Sequence, residues 1–397
     1  MREIILVSVG ESGIKSSNTF WQTMCFNNNL TLEGQVSEST DLSNLNTFFN
    51  ESSNGKFDPR AILINSDSKP TNQILSGLIP PQVASHQSNS QFRNFYKSES
   101  MISGGEQAVD FQSARTIAYK SMPRIKTQVR RELEACDSFG GFMFVNDLGE
   151  EAGSGMGSLV LETLRDFDDK SGIIGHSIFP DQRNSQNLSN AVFSLGTLSE
   201  NLDVSLLYSH KKLQSICSKN PLAIPSGVVG HIISHLSIPF AFPVTKTLSF
   251  SDFIAQYSVR NLPFAVISKP ELCNSKAQSL PCIEESISNM IELNQTTPQV
   301  KLQEGTFFKP IFSVCNSTAT STLTSLTKEL MSHFSVEPDV VGFQGLWRGY
   351  KAFSSLEEVS CISFNTAIGN WFRETLGDVN REDYQNILQC YDEITLN

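Results

Sequence analysis

Apolar residues in this chain come in short runs that end in glycine or polar turns, and most of these runs are followed by a stretch with helical spacing. Glu3 to Val9 reads as a buried strand closing at Gly10-Glu11-Ser12-Gly13, after which Phe20, Trp21, Met24 and Cys25 recur at helical intervals. Asn27 to Asn54 is rich in Asn, Ser and Thr and reads as a long surface loop. Ala61 to Ile64 is a short strand, Ser66 to Ser100 is polar again, and Pro123 to Cys136 has helical periodicity. The apolar run Gly141 to Val145 then leads into Leu148-Gly149-Glu150-Glu151-Ala152-Gly153-Ser154-Gly155-Met156-Gly157-Ser158 and a helical pattern from Leu159 to Arg165.

Further along, Gly172 to Phe179 and Val204 to Tyr208 are strands on either side of a helix from Asn190 to Leu202. Val228 to Leu236 is helical and Phe264 to Ile267 is a strand. Later elements are a helix at Ile283–Leu293, a strand at Phe307–Val314, an amphipathic helix at Thr322–Phe334, a strand at Val359–Phe364 and helices at Thr366–Leu376 and Asp383–Ile394. Strands alternating with helices predict an α/β fold with a mostly parallel sheet.

The chain has 397 residues, 39% of them hydrophobic, enough for two or three packed domains. No apolar run approaches the ~20 residues of a membrane helix, and the start reads as a first strand rather than a signal peptide. Both point to a cytosolic chain without a membrane partner. The eight cysteines form no CxxC pair, which removes support for zinc ribbons and thioredoxin chemistry. A net charge of −11 without a basic run disfavours nucleic acid as a partner.

In open parallel sheets, ligands sit past the carboxyl ends of the strands. Gly10 to Gly13, Asn65-Ser66-Asp67 and Gly149 to Gly155 all fall at such ends and predict a nucleotide-sized crevice. Glycines there would let backbone N–H groups curl into an anion-binding nest, with the following helix start adding positive dipole. The spacing matches neither GxGxxG nor the Walker pattern. His231 and His235 lie four apart on a helix without a following glutamate, which reads as packing rather than zinc binding.

The same residues resemble tubulin. Met1-Arg2-Glu3-Ile4-Ile5 followed by Gly10-Glu11-Ser12-Gly13 is similar to the family opening MREI…GQxGN, and Phe48-Phe49 through Gly55-Lys56 to Pro59-Arg60-Ala61 is similar to FF…GK…PRA. Gly149 to Gly155 resembles the signature GGGTGSG, and Asn365-Thr366-Ala367-Ile368 resembles NSTAI. The resemblance implies a tubulin-like fold: an N-terminal Rossmann-like GTPase domain with a parallel sheet over 1–210, a core helix region over 211–240, an intermediate α/β domain over 241–376 and a shortened C-terminal helical hairpin over 377–397.

It also implies GTP and Mg²⁺ as cofactors and a set of site positions. Gly10 matches the family, whereas Glu11 and Ser12 stand for Gln and Cys. Asp67 represents the acidic loop after the third strand and the one metal candidate. Gly104 to Asp110 resembles the γ-phosphate loop. Gly149, Ala152, Gly153, Ser154 and Gly155 fill the signature, with Glu150 and Glu151 in place of glycines and Ala152 in place of threonine. Asn187 stands for the ribose-contacting Glu, His210 and His231 for the guanine-reading Asn residues, and Gln256 for the catalytic Glu. An amide cannot act as a general base, so no catalytic residue is evident.

A carboxylate about 6 Å from a phosphate charge repels it by roughly 3 kcal/mol at an effective dielectric near 20, about a hundredfold in affinity. The expectation is therefore a filament subunit or modifier of tubulin polymers, in cytoplasm and cytoskeleton, partnering tubulin or itself with a degenerate GTP site. The alternatives are an active GTP-hydrolysing tubulin, with Asp67 and Glu151 helping to hold Mg²⁺, and a non-polymerising interaction module. The polar loop Lys269–Pro281 resembles the family's lateral-contact loop.

Overall fold

The computed structural model describes residues 2–36, 45–76, 95–180, 185–210 and 224–241, with shorter stretches at 213–214, 217, 249–257, 264–265, 311–314 and 339–342. Expectations over 267–310, 315–338 and 343–397, including Ile283–Leu293, Thr322–Phe334, Val359–Phe364, the Lys269–Pro281 loop and the C-terminal helices, lie outside the described residues.

β1 (Glu3–Val9) occupies the middle of a parallel sheet. It is flanked by β4 (Ala61–Asn65) and β6 (Phe139–Asp147). β5 (Met101–Ser103) closes one side. β7 (Gly172–Phe179), β8 (Val204–Ser209) and β9 (Phe264–Ala265) extend the other, giving the order β5-β4-β1-β6-β7-β8-β9. β2 (Phe49–Glu51) and β3 (Phe57–Pro59) form an antiparallel hairpin, and β10 (Ile311–Val314) pairs in parallel with β11 (Asp339–Gly342).

Helices cover both faces, so the inner strands are apolar on both sides. Ile4 and Leu6 of β1 and Met143 and Val145 of β6 face a core shared with α1 (Gly10–Asn27) and α6 (Pro225–Ala241). Ile5, Val7, Val9, Phe142 and Phe144 face the opposite core, shared with α3 (Phe111–Glu134), α4 (Gly157–Phe167) and α5 (Ser185–Asn201). α2 (Lys69–Leu75) and α7 (Phe250–Tyr257) complete the helices named here. Among the described residues no helix is long and apolar enough to cross a membrane.

α1 is polar yet buried along most of its length. Its hydroxyls donate to carbonyls one turn earlier: Ser16 to Ser12 O at 2.8 Å and Thr23 to Thr19 O at 3.0 Å. Its aromatic face explains why the Asn27–Asn54 stretch is not simply a surface loop. Trp21 packs edge-on against Phe48 and Phe49 at centroid distances of 6.3 and 5.4 Å, and Leu30, Leu32 and Leu45 join the same core. The polar composition masked these buried anchors.

α3 begins at Phe111 rather than Pro123. Asp110 caps it, accepting from Ser113 N at 2.7 Å while Ser113 Oγ takes Asp110 N at 3.0 Å. The helix runs on through Pro123. α6 crosses α1 at Gly230, where a Cβ would stand 2.2 Å from Ser16 O and 2.7 Å from Thr19 Cβ.

Gly230→Ala is therefore expected to destabilise the domain by about 1–3 kcal/mol. Gly196→Ala on α5, which meets nothing within 4 Å, is expected to be neutral or stabilising by up to about 1 kcal/mol. Urea midpoints of the two variants check this; equal midpoints would remove the close-crossing argument.

Candidate functional site

The chain runs from β1 out to β4 and β5 on one side, then returns to β6 and continues outward on the other. The switch point thus lies between β1 and β6, whose carboxyl ends border the crevice where parallel sheets bind ligands. Two turns meet there, Gly10-Glu11-Ser12 after β1 and Asp147-Leu148-Gly149-Glu150 after β6.

Gly10 turns the chain into α1 with φ +85°, a conformation that favours glycine. That places the Ser12 N–H at the helix N-terminus, where orphan donors and the dipole favour an anion. The acceptor for these donors is part of the chain itself. Both carboxyl oxygens of Glu150 accept from Ser12 N, at 3.0 and 3.1 Å, and Oε1 also accepts from Ser12 Oγ. A Cβ at Gly10 would lie 2.8 Å from Glu150 Oε2.

The glycine-rich segment differs from the expected nest. A helical run starts at Glu151 and closes a π turn over Ala152–Met156 before α4, a widening found often at functional sites. Glu150 O accepts from Ser154 N at 2.9 Å and from Ser154 Oγ at 2.6 Å. None of Gly149, Gly153, Gly155 and Gly157 has positive φ. Their smallness serves close packing instead. A Cβ at Gly153 would sit 2.2 Å from Asp147 O, and one at Gly155 would sit 2.2 Å from Phe111 O. Ala152 and Ser154 are buried in this turn, Ala152 without the hydroxyl of the family threonine.

Asp147, which sequence reasoning passed over, lies behind Glu150. It is buried and accepts from Gly149 N at 2.8 Å. Desolvation raises its pKa, partly offset by the Gly149 hydrogen bond and by the charge of nearby His210. Glu150 is pushed up to about 8, first by desolvation and then by the Asp147 charge, against the hydrogen bonds from Ser12. Glu11 on α1 adds a further like charge, although it is paired with Lys15 at 2.5 Å. At Glu150 the expected charge repulsion is thereby weakened. Below about pH 8 Glu150 holds its proton much of the time, and it obstructs the cradle by filling it.

The remaining candidates divide. Asn187, on the first turn of α5, packs beside Gly149, whose Cβ would be 3.3 Å from that of Asn187. His210 directly follows β8, and its charge works to lower the Asp147 pKa. Asp67 is engaged locally: its Oδ1 accepts from Asn65 Nδ2 and Lys69 N, each at 3.0 Å, at the head of α2. Among the described residues no group of three or more His, Cys, Asp or Glu side chains is placed to hold a metal ion. His231 is buried in the seam between α6 and α1, with Nδ1 3.4 Å from Thr23 Oγ1. Thr23 stands about 16 Å along α1 from Ser12 at ~1.5 Å per residue, so His231 is a packing residue remote from the cradle. The side chains of His235 and Gln256 lie outside the described residues.

Asn146 and Asn190 are further site residues that the sequence did not flag. Asn146 donates to Gly153 O at 2.9 Å and accepts from Ser177 Oγ at 2.6 Å, holding the π turn against β7. Asn190 donates to Gly149 O at 3.1 Å. The available signal was Asn146-Asp147 closing an apolar run.

Over residues 3–218, more than half its length, the chain matches the tubulin/FtsZ family, GTPase domain. It belongs to that family. The tubulin alpha chain of Dictyostelium discoideum is 28% identical over 273 residues, covering 63% of this chain and 57% of the relative. The tubulin beta chain of Candida albicans is 28% identical over 257 residues, covering 61% and 54%. The tubulin alpha-1 chain of Saccharomyces cerevisiae is 24% identical over 297 residues, covering 70% and 63%. The chain thus spans little more than half the length of these tubulins.

GTP binding is a general property of such a domain, but this tubulin-family chain does not fit the nucleotide at its phosphate cradle. The Ser12 donors are taken, Glu150 fills the space above Gly10, and the signature segment is wound into a helix. An incoming phosphate would have to displace hydrogen bonds to a carboxyl group worth roughly 1.5–3 kcal/mol when charged, about 10- to 100-fold in affinity.

The raised pKa of Glu150 has a signed consequence. The folded chain holds an extra proton between about pH 4.5 and pH 8, so stability falls as pH rises through that window. Glu150→Gln keeps the shape without the titration. It is expected to melt higher than the parent at pH 8.5, with a shallower decline from pH 5.5, the residual slope coming from Asp147. Differential scanning calorimetry across that range checks this, and parallel curves for the two proteins would refute it.

Proposed function

We propose that this chain is a cytoskeletal protein of the cytoplasm that docks onto tubulin, or onto copies of itself in filaments, without a cycle of GTP binding and hydrolysis. The carrying observation is the Glu150 carboxyl seated on the Ser12 donors. The family and the tubulin relatives support the partner class, and the filled cradle supports loss of the cycle. Absence of the threonine hydroxyl at Ala152 and the engagement of Asp67 with Asn65 and Lys69 point the same way. On this reading residues 1–210 form a nucleotide domain in outline, 211–240 a core helix region, and 241–376 and 377–397 the parts that complete a tubulin-like subunit.

The competing reading is an active GTPase subunit. It draws on Asn187, whose Cβ is 3.3 Å from a Cβ built at Gly149, on the electrostatic effect of His210 on Asp147, and on a Glu150 that is easier to displace when protonated. The third, an interaction module that never polymerises, shares the filled cradle and differs only in the behaviour of the chain with tubulin.

Co-sedimentation with polymerised tubulin, with and without GTP, separates the three when combined with calorimetric titration of GTP-Mg²⁺. The expected result is co-pelleting that does not depend on nucleotide bound to this chain, and no heat at micromolar concentrations. Micromolar GTP affinity would establish the active subunit, and a monomer that stays in the supernatant would establish the solitary module.

A further inference from the structure

We propose that the solvent-facing side of α3 is a docking surface for a short acidic peptide segment of a partner protein. The surface lies on the opposite face of the sheet from α1, and nothing in it depends on how the cradle is filled.

The cations form no run along the chain, yet the helix gathers them. Lys120, Arg124, Lys126, Arg130 and Arg131 are all exposed, and no acidic residue interrupts Phe111 to Arg131. Tyr119, Pro123, Lys126 and Arg130 stand at i, i+4, i+7 and i+11, which puts them on one stripe. Lys120, Arg124 and Arg131 form a second stripe beside it. In a chain of net charge −11, this side of α3 reverses the sign locally. Screening confines each charge to about 10 Å at 0.1 M salt, so a segment lying on α3 meets these cations rather than distant carboxylates. Among the described residues Lys120 alone of the five has an ion-pair partner, Glu106 at 3.5 Å. Glu99, within electrostatic reach of Arg131, and Glu134 on the last turn border the surface.

Tyr119 supplies what a plain solvated charged face lacks. It is 75% exposed, more than any other large apolar side chain among the described residues. Pro123, one turn on, is exposed as well. Tyrosine and arginine are the residue types that anchor interfaces. Two of the cations are already positioned. The Arg130 guanidinium sits over the Phe167 ring, 5.9 Å from its centroid, and Arg124 Nη1 donates to Ser103 O at 3.1 Å. Less side-chain freedom is therefore lost when a carboxylate arrives.

The length of the stripe sets the length of the occupant. From Tyr119 to Arg130 it runs about 16 Å at ~1.5 Å per residue, the span of about five residues of extended chain at ~3.3 Å each. The occupant is thus a segment of that size, rich in Asp and Glu, with one apolar side chain to lie on Tyr119. A nucleic acid fits less well, because it needs many phosphate contacts on a broadly basic surface, and this one is short and edged by carboxylates.

The test titrates the full chain into a fluorescein-labelled heptapeptide of glutamates around one central phenylalanine, followed by anisotropy at about 50 mM salt. Saturable binding is expected, and about tenfold weaker binding when glutamine replaces each glutamate. Tyr119→Ala is expected to weaken the acidic peptide about 3- to 10-fold. Lys126→Glu combined with Arg130→Glu is expected to weaken it about tenfold or more. Lys69→Glu, on α2 at the other face of the sheet, is expected to change it less than about twofold. If the double variant melts below the parent, Lys126→Glu alone takes its place, with an expected loss of about 3- to 5-fold. The proposal is overturned by absence of saturation up to about 1 mM, by an equal loss in Lys69→Glu, or by tighter binding of a labelled oligothymidylate than of the acidic peptide.

Discussion

A helix that starts at the carboxyl end of a central strand needs an acceptor at its head, and here the requirement is met from within. Ser12 opens α1, Glu150 follows β6, and the bond between them ties together the two strands that border the switch point of the sheet. The neighbouring features are arranged around that bond. Gly10 lacks a Cβ where one would strike the carboxyl. Glu150 enters the cradle with its carbonyl anchored to the π turn, and burial, followed by the charge of Asp147, keeps its proton affinity high. An ordinary nucleotide domain leaves this position to a diffusible ligand and becomes conditional on it. This one satisfies its own helix terminus.

The glycines illustrate how one residue type serves two physical ends. Gly10 supplies a backbone angle that other residues avoid. Gly153, Gly155 and Gly230 have ordinary helical or loop angles and supply proximity, letting the π turn lie on Asp147, α3 approach the signature segment and α6 cross α1. Glycines of the second kind bind helices to each other with little tolerance. They fix the cradle indirectly, because the elements that carry Ser12 and Glu150 cannot slide past their neighbours without steric overlap.

Much of the fold was legible in the sequence. The inner strands are apolar on both faces, so β1, β4, β6, β7 and β8 stood out as short apolar runs, and the glycine-containing ends of β1 and β6 marked the crevice. Glu150 was visible as an acidic intruder, but the sense in which it acts was not. Sequence spacing indicates charge near an anion site; it does not show whether a side chain turns outward, repels or occupies. Asp147 and Asn146 were missed because they close an apolar run and look like the polar end of any strand. The Asn27–Asn54 stretch was misread because Leu30, Phe48 and Phe49 are sparse among polar residues, and only the position of Trp21 shows what they pack on. His231 followed from loose alignment, which cannot resolve which turn of a helix faces a crevice.

Because β1 lies in the middle of the sheet, its partner on one side is made long after it. Ser12 and Glu150 are 138 positions apart, and at about 5–20 residues per second of synthesis the first strand waits roughly 7–28 s for β6 to leave the ribosome. During that interval Ile4 to Val9 is an unpaired apolar edge of the kind that invites association with other chains. Long-range pairing of this sort also folds slowly once the chain is complete. The first strand is thus most exposed while the chain is still being made, and the arrival of β6 ends that exposure.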